Sequence, residues 1–156
     1  MIIRSSPKHH QNGFSLLELL IVVAIMALLA AAGAGFYRGF MKNVEIQSAS
    51  KMIASDLRQM RAKSMIGESG YKWGVRFVKN ASGNDYYTLF STDGTNSTTT
   101  ATTTLSSGIT FIDPVSGYKD VIFSKISGTI SAATTTIITA EGKTATTTIS
   151  TIGTIY

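Results

Sequence analysis

The sequence contains no cysteine, and its only two histidines, His9 and His10, both precede Phe14. Without thiols the chain has neither disulfide bonds nor thiolate metal ligands. Beyond His10 it also lacks imidazole, the commonest general base and transition-metal ligand. No catalytic triad, phosphate-binding loop or metal-ligand cluster can be assembled from the other residues. These absences argue against an enzyme, and we expect no cofactor and no metal.

Charged residues and prolines are scarce as well. Asp, Glu, Lys and Arg make up 15% of the chain, and the net charge of +5 does not by itself require a nucleic-acid partner. Neither of the two prolines falls between residues 14 and 65, so nothing in that stretch forces a helix to stop. Threonine is absent before Thr88 and abundant after it, which indicates a change from helical to strand-forming sequence.

The longest apolar run begins at Phe14 and continues to Phe36, and Glu18 is the only charged residue inside it. As a helix this run is long enough to cross about 30 Å of hydrocarbon. The leader before it is basic, which suits either a cleaved signal peptide or a plain signal anchor with the leader in the cytoplasm. Neither interpretation accounts for Glu18, because a carboxylate within a membrane helix is costly.

After Phe40 the helical pattern becomes amphipathic. Apolar residues recur at three- and four-residue steps, with charged residues between them. The apolar positions are Ile46, Ala49, Ile53, Leu57 and Met60. The pattern predicts one helix over residues 14–65, ended by Gly67 and Gly70, whose second half lays an apolar stripe against a small domain.

From Tyr71 onward, short β patterns alternate with turn residues. The predicted strands are residues 72–78, 86–91, 108–112, 120–124, 135–139, 146–150 and 154–156. The threonine-rich run at residues 98–104 is not among the predicted strands, and two interpretations stay open for it: a half-exposed strand, which threonine suits, or a polar loop. The expected fold class is α+β: a long N-terminal helix packed on a small antiparallel β-sheet head.

Residues 13–25, which read Gly-Phe-Ser-Leu-Leu-Glu-Leu-Leu-Ile-Val-Val-Ala-Ile, resemble the leader junction and N-terminal helix of type IV pilins and type II secretion pseudopilins. The resemblance implies that a prepilin peptidase cuts between Gly13 and Phe14 and that Phe14 is N-methylated. It also implies that Glu18 guides assembly. The implied partners are other pilin or pseudopilin subunits, an assembly platform protein and its ATPase, and the membrane.

The same resemblance implies an order of segments and a location. Residues 1–13 are expected to be a cleaved leader, 14–38 a transmembrane and filament-core helix, and 39–156 the amphipathic half of the helix with the head. The chain is expected in the inner membrane as a single-pass protein with its leader in the cytoplasm. It would then enter an extracellular or periplasmic filament.

Within that superfamily, four segments are similar to the GspH/FimT group of minor pilins and pseudopilins: residues 55–64, 73–77, 87–90 and 148–155. A minor subunit of a pilus or secretion filament is therefore the expected function, with a major pilin as one alternative. A second alternative is DNA binding during uptake, through a basic patch near the end of the helix. Its candidate contacts are Arg58, Arg61, Lys63, Lys72, Arg76 and Lys79. A calcium-stabilised loop at Asp113 and Asp120 is a weaker hypothesis, since calcium takes six to eight oxygen ligands.

Overall fold

The computed structural model describes residues 14–156, and one long helix, α1 (Leu16–Met65), accounts for the first third of them. Its 50 residues correspond to about 75 Å at 1.5 Å per residue. The helix begins two residues later than predicted. It ends at Met65, just before Gly67 as expected; the φ of +66° at Gly67 suits glycine, and a short 3₁₀ turn (Glu68–Gly70) follows. By its internal contacts the chain divides into two units, the first ending at Gly39 and the second being Phe40–Tyr156.

The second unit contains two antiparallel sheets, which together with the helix make the α+β, pilin-like architecture. The strands are β1 (Lys72–Lys79), β2 (Tyr86–Thr92), β3 (Ser97–Thr104), β4 (Thr110–Asp113), β5 (Gly117–Phe123), β6 (Thr134–Ala140) and β7 (Lys143–Ile149). The four-stranded sheet has the order β3-β2-β1-β5, and the three-stranded sheet has the order β4-β6-β7. The predicted fold class is therefore confirmed, with two sheets in the head.

The core lies between the amphipathic part of α1 and the inner faces of the sheets. Four of the five predicted stripe residues, Ile46, Ile53, Leu57 and Met60, are at most 2% exposed, and Ala49 packs against them. The rings of Phe77 and Phe111 meet edge to face with their centres 5.5 Å apart. The second unit thus has its own hydrophobic core, and the helical periodicity identified the face of α1 that contributes to it.

Two strand predictions differ from the structure. Of the two interpretations of residues 98–104, the loop is wrong, because these residues belong to β3 and pair with β2. Nearly every side chain of β3 is exposed, so the strand has no apolar alternation to reveal it. The predicted strand at 154–156 is reduced to one bridge, between Ile155 and Ile149, since Gly153 turns the chain with a φ of +80°.

Candidate processing and assembly segment

The segment expected to be processed and assembled begins with Phe14, which precedes the helix and is 79% exposed. The carbonyl oxygen of Ser15 accepts a hydrogen bond from the backbone N–H of Leu19 at 3.2 Å, and this bond forms the first turn. The other half of the expected cleavage junction, Gly13, lies outside the described residues. On the side that is described, the chain at the junction is non-helical and exposed.

Glu18 lies in the first turn of α1, and its side chain is exposed. The positive end of the helix dipole favours a carboxylate at this place. The residues around it are leucines, and the next basic residue along the chain is Arg38. Among residues 14–156, Glu18 therefore has no cation with which it forms an ion pair. Such a carboxylate is available to a cation supplied from outside the chain.

The apolar side chains that follow Glu18 are also uncovered. Leu20, Val23, Met26 and Leu29 are between 58% and 67% exposed. The most apolar 18-residue window of α1 has a mean hydropathy of 2.6, and none of it is buried. By length and composition this helix can cross a membrane, although a signal sequence would pass the same criterion. A continuous apolar surface of this size requires lipid or another protein chain as its cover.

The structure gives Arg58 and Arg61 a role that the sequence did not suggest. Arg58 Nη2 donates to the carbonyl oxygen of Ile155 at 3.2 Å. Arg61 donates to the carbonyl oxygens of Gly128 at 3.3 Å and Ile152 at 3.0 Å. Both guanidinium groups therefore hold the C-terminal turn against the end of α1. They were candidate DNA contacts because of their charge, but their partners are carbonyl groups far along the chain.

Of the other candidate cations, Lys72 and Arg76 lie on one face of β1, Lys79 lies on the opposite face, and Lys63 lies in the last turn of α1. Lys63 Nζ is 2.9 Å from a Glu68 carboxylate oxygen and 4.4 Å from the centre of the Trp73 ring. Lys79 Nζ donates to the carbonyl oxygen of Phe111 at 2.7 Å and lies 3.3 Å from Asp85. Arg76 is paired with Asp120 across the outer face of the four-stranded sheet, and Lys72 is exposed. The structure does not bring the six residues together into one basic patch.

The two acidic candidates for a calcium site also form ion pairs within the chain. Asp113 forms an ion pair with Lys119, and Asp120 forms one with Arg76. In the part of the chain from residue 14 onward, no three His, Cys, Asp or Glu residues lie close enough together to hold a metal ion. These contacts favour ordinary structural ion pairs over a calcium loop.

Sequence reasoning missed the partner of Asp56, one of the charged residues in the amphipathic part of α1. The hydroxyl of the buried Tyr87 donates to the Asp56 carboxylate at 2.6 Å. Burial, and then this hydrogen bond, raise the pKa of Tyr87 well above its ordinary value. No local signal could have found the pair, because its members are separated by 31 residues.

Comparison with known proteins gives one family match. Residues 8–34 match the family described as the prokaryotic N-terminal methylation motif. No curated protein and no solved structure matches the chain significantly. The motif supports a place in the type IV pilin and pseudopilin superfamily and points to a structural subunit that a prepilin peptidase processes. Together with the apolar helix, it is consistent with a membrane-anchored protein that assembles with other such subunits.

Proposed function

We propose that this chain is a minor subunit of a type IV pilus or of a type II secretion filament. One observation carries the proposal: the first part of α1 exposes an apolar surface with a single carboxylate in its first turn, and most of this part lies within the matched methylation motif. The part from Phe40 onward has its own core and does not need that surface for folding. Such a division suits a subunit that is stored in lipid and later polymerised.

Processing removes residues 1–13 and leaves Phe14 as the new N-terminal residue, which is then N-methylated. Arg4 and Lys8 keep the leader in the cytoplasm, in line with the positive-inside rule. Residues 14–38 then span the inner membrane, and residues 39–156 lie on its far side. An assembly platform and its ATPase move the processed subunit from the membrane into the filament.

Glu18 sets the axial register between neighbouring subunits. Cleavage creates an α-amino group at Phe14 that is largely protonated at neutral pH. In an apolar filament core an unpaired carboxylate is expensive, so each Glu18 is best placed beside the ammonium group of a neighbour. The absence of an ion pair to Glu18 among residues 14–156 supports a partner on a second subunit.

The first test is the intact mass and N-terminal sequence of the chain produced in cells with and without a prepilin peptidase. We expect peptidase-dependent loss of residues 1–13 and a methylated Phe14. An intact N-terminus in the presence of active peptidase would contradict the proposal and indicate a plain anchor. Cleavage near residue 32 would contradict it too, and would indicate an ordinary secreted domain.

A second test separates assembly from processing. Glu18→Ala is expected to leave membrane insertion and cleavage unchanged but to reduce incorporation of the chain into sheared filaments. Glu45→Ala removes a half-buried carboxylate, which is paired with Lys42 in the second unit, and serves as the matched control, with normal incorporation expected. If the two variants are incorporated equally well, Glu18 does not set the register.

The assignment to a minor subunit rests on the similarity of four segments to the GspH/FimT group. Two of them, residues 73–77 and 87–90, lie on the adjacent strands β1 and β2. Quantitative mass spectrometry of purified filaments tests this part of the proposal. We expect this chain at a small fraction of the most abundant subunit, and a dominant amount would make it a major pilin instead.

A further inference from the structure

The outer face of the four-stranded sheet, which points away from the core, carries two adjacent rows of side chains. One row crosses the strands as Asp120, Arg76, Thr88 and Thr102, in the order β5, β1, β2, β3. The next row, in the same strand order, is Tyr118, Val78, Tyr86 and Thr104. A line of hydrogen-bonding groups thus runs beside a line that contains two aromatic rings.

Arg76 is held rigidly in the centre of this face. Its Nε and Nη2 donate to the two carboxylate oxygens of Asp120 at 2.6 and 2.7 Å. Its guanidinium carbon lies 4.5 Å from the centre of the Tyr118 ring and 5.4 Å from that of Phe90. Two of the five N–H groups of arginine are used in the pair with Asp120, so three donors stay available in the described chain. The fork geometry fixes the direction in which these donors point.

The aromatic row is partly open to solvent. Tyr118 is 64% exposed and Tyr86 is half-buried. Because neighbouring strands lie about 4.7–4.9 Å apart, these two rings, which are two strands apart, are separated by roughly 10 Å across the sheet. The face thus presents one exposed and one half-buried aromatic ring beside the hydrogen-bonding row.

The charge of the two rows decides what kind of ligand fits. Arg76 and Asp120 neutralise each other, and the other six positions in the two rows are uncharged. Polyanions such as single-stranded nucleic acid are bound mainly through cations that contact phosphates, and these rows offer no unpaired cation. Each hydroxyl group of a neutral sugar can both donate and accept a hydrogen bond. Sugar hydroxyls therefore match the Arg76–Asp120 pair, in which Arg76 donates and Asp120 accepts. The C–H face of a sugar ring packs on an aromatic ring.

We infer that these two rows form a binding site for a neutral oligosaccharide, with Tyr118 and Tyr86 stacking on sugar rings and the Arg76–Asp120 pair bonding to sugar hydroxyls. The separation of the two tyrosines calls for a chain of linked sugars, since a single sugar contacts one ring. Thr88 and Thr102 extend the hydrogen-bonding row toward β3. This binding function goes beyond a role in filament assembly and does not depend on polymerisation.

The test uses the full chain in detergent micelles, titrated with chitohexaose, cellohexaose and maltohexaose by isothermal calorimetry. We expect at least one of these sugars to bind with an affinity that salt does not change. Tyr118→Ala and Tyr86→Ala should each weaken that binding roughly three- to tenfold. Arg76→Lys keeps the charge but loses the planar, two-pronged guanidinium group. It should weaken the sugar binding to a similar extent.

Tyr156→Ala is the matched control, because Tyr156 is 70% exposed and is absent from both rows. It should bind the sugars as the wild type does, and all variants should keep the wild-type unfolding temperature. The inference is overturned if none of the three sugars binds, or if the control weakens binding as much as Tyr118→Ala. Tighter, salt-sensitive binding of an oligodeoxythymidine would also overturn it, and would assign the face to single-stranded nucleic acid.

Discussion

The two halves of α1 contain similar apolar residues but differ in what covers them. In the apolar half, residues 16–39, none of the described side chains is buried. In the amphipathic half, residues 40–65, Ile46 and Leu57 are completely buried and Met60 nearly so. The difference follows from sequence pattern: apolar residues all around a helix need a continuous apolar environment, whereas a stripe needs only one partner surface. Apolar content alone therefore does not say which part of a helix belongs to a core.

The carboxylates in the two halves of α1 also differ in whether they have a partner within the chain. Asp56 in the amphipathic half accepts a hydrogen bond from Tyr87 within the same chain. Glu18 in the apolar half has no ion-pair partner among the residues that the structure describes. Asp56 is thus part of a folded unit, and Glu18 suits a contact that forms only on assembly.

The largest expected effect comes from deleting equivalent atoms in the two halves. Leu57→Ala should lower the free energy of unfolding of the second unit by about 2–5 kcal/mol, because Leu57 is fully buried. Leu20→Ala removes the same atoms from a side chain that is 60% exposed. It should leave the free energy of unfolding of the second unit unchanged. Denaturant unfolding in micelles, followed by fluorescence of the only tryptophan, Trp73, measures both. Equal losses of stability in Leu57→Ala and Leu20→Ala would contradict the difference between the two halves.

A smaller effect is expected from two arginines. Arg61→Ala removes hydrogen bonds to the carbonyl groups of Gly128, in the β5–β6 connection, and Ile152, in the C-terminal turn, and should destabilise the second unit by about 1–2 kcal/mol. Faster amide exchange at residues 150–156 should accompany the loss. Arg38→Ala changes an exposed residue of the apolar half and should alter neither measurement. If exchange stays slow in Arg61→Ala, the turn is held by other contacts.

The smallest effect concerns the Tyr87–Asp56 pair and depends on pH. Tyr87→Phe should lower the free energy of unfolding by about 0.5–1.5 kcal/mol at neutral pH. Because the pKa of Tyr87 is raised on folding, the protonated hydroxyl contributes fully below about pH 10, the value for an unfolded tyrosine. Above that pH the advantage of the wild type should shrink.

Unfolding curves of the wild type and Tyr87→Phe, measured from neutral to alkaline pH, test this expectation. Tyr37→Phe is the control in the apolar half, where the side chain is 64% exposed and its removal should not change stability. A constant difference between wild type and Tyr87→Phe through the alkaline range would show that the hydroxyl does not carry the effect.

Local patterns predicted the helix and its buried face well. Ile46, Ile53, Leu57 and Met60 were found from their spacing, because helical periodicity depends only on near neighbours in the sequence. The strand β3 was missed, since a threonine run exposed on both faces resembles a polar loop. The contacts of two candidate DNA-binding residues were also beyond sequence reasoning, because Arg58 and Arg61 donate to carbonyl groups between 67 and 97 residues away.

The sequence by itself determined the candidate processing site, the apolar half of α1 and the face of its amphipathic half that is buried. Each of these depends on residues that are contiguous or one helical turn apart, so composition and spacing are sufficient. Only the tertiary structure decided which cations pair within the chain and that Arg76 lies beside Tyr118 and Tyr86. Strand order and register bring together residues that are distant in sequence, and long-range packing sets both.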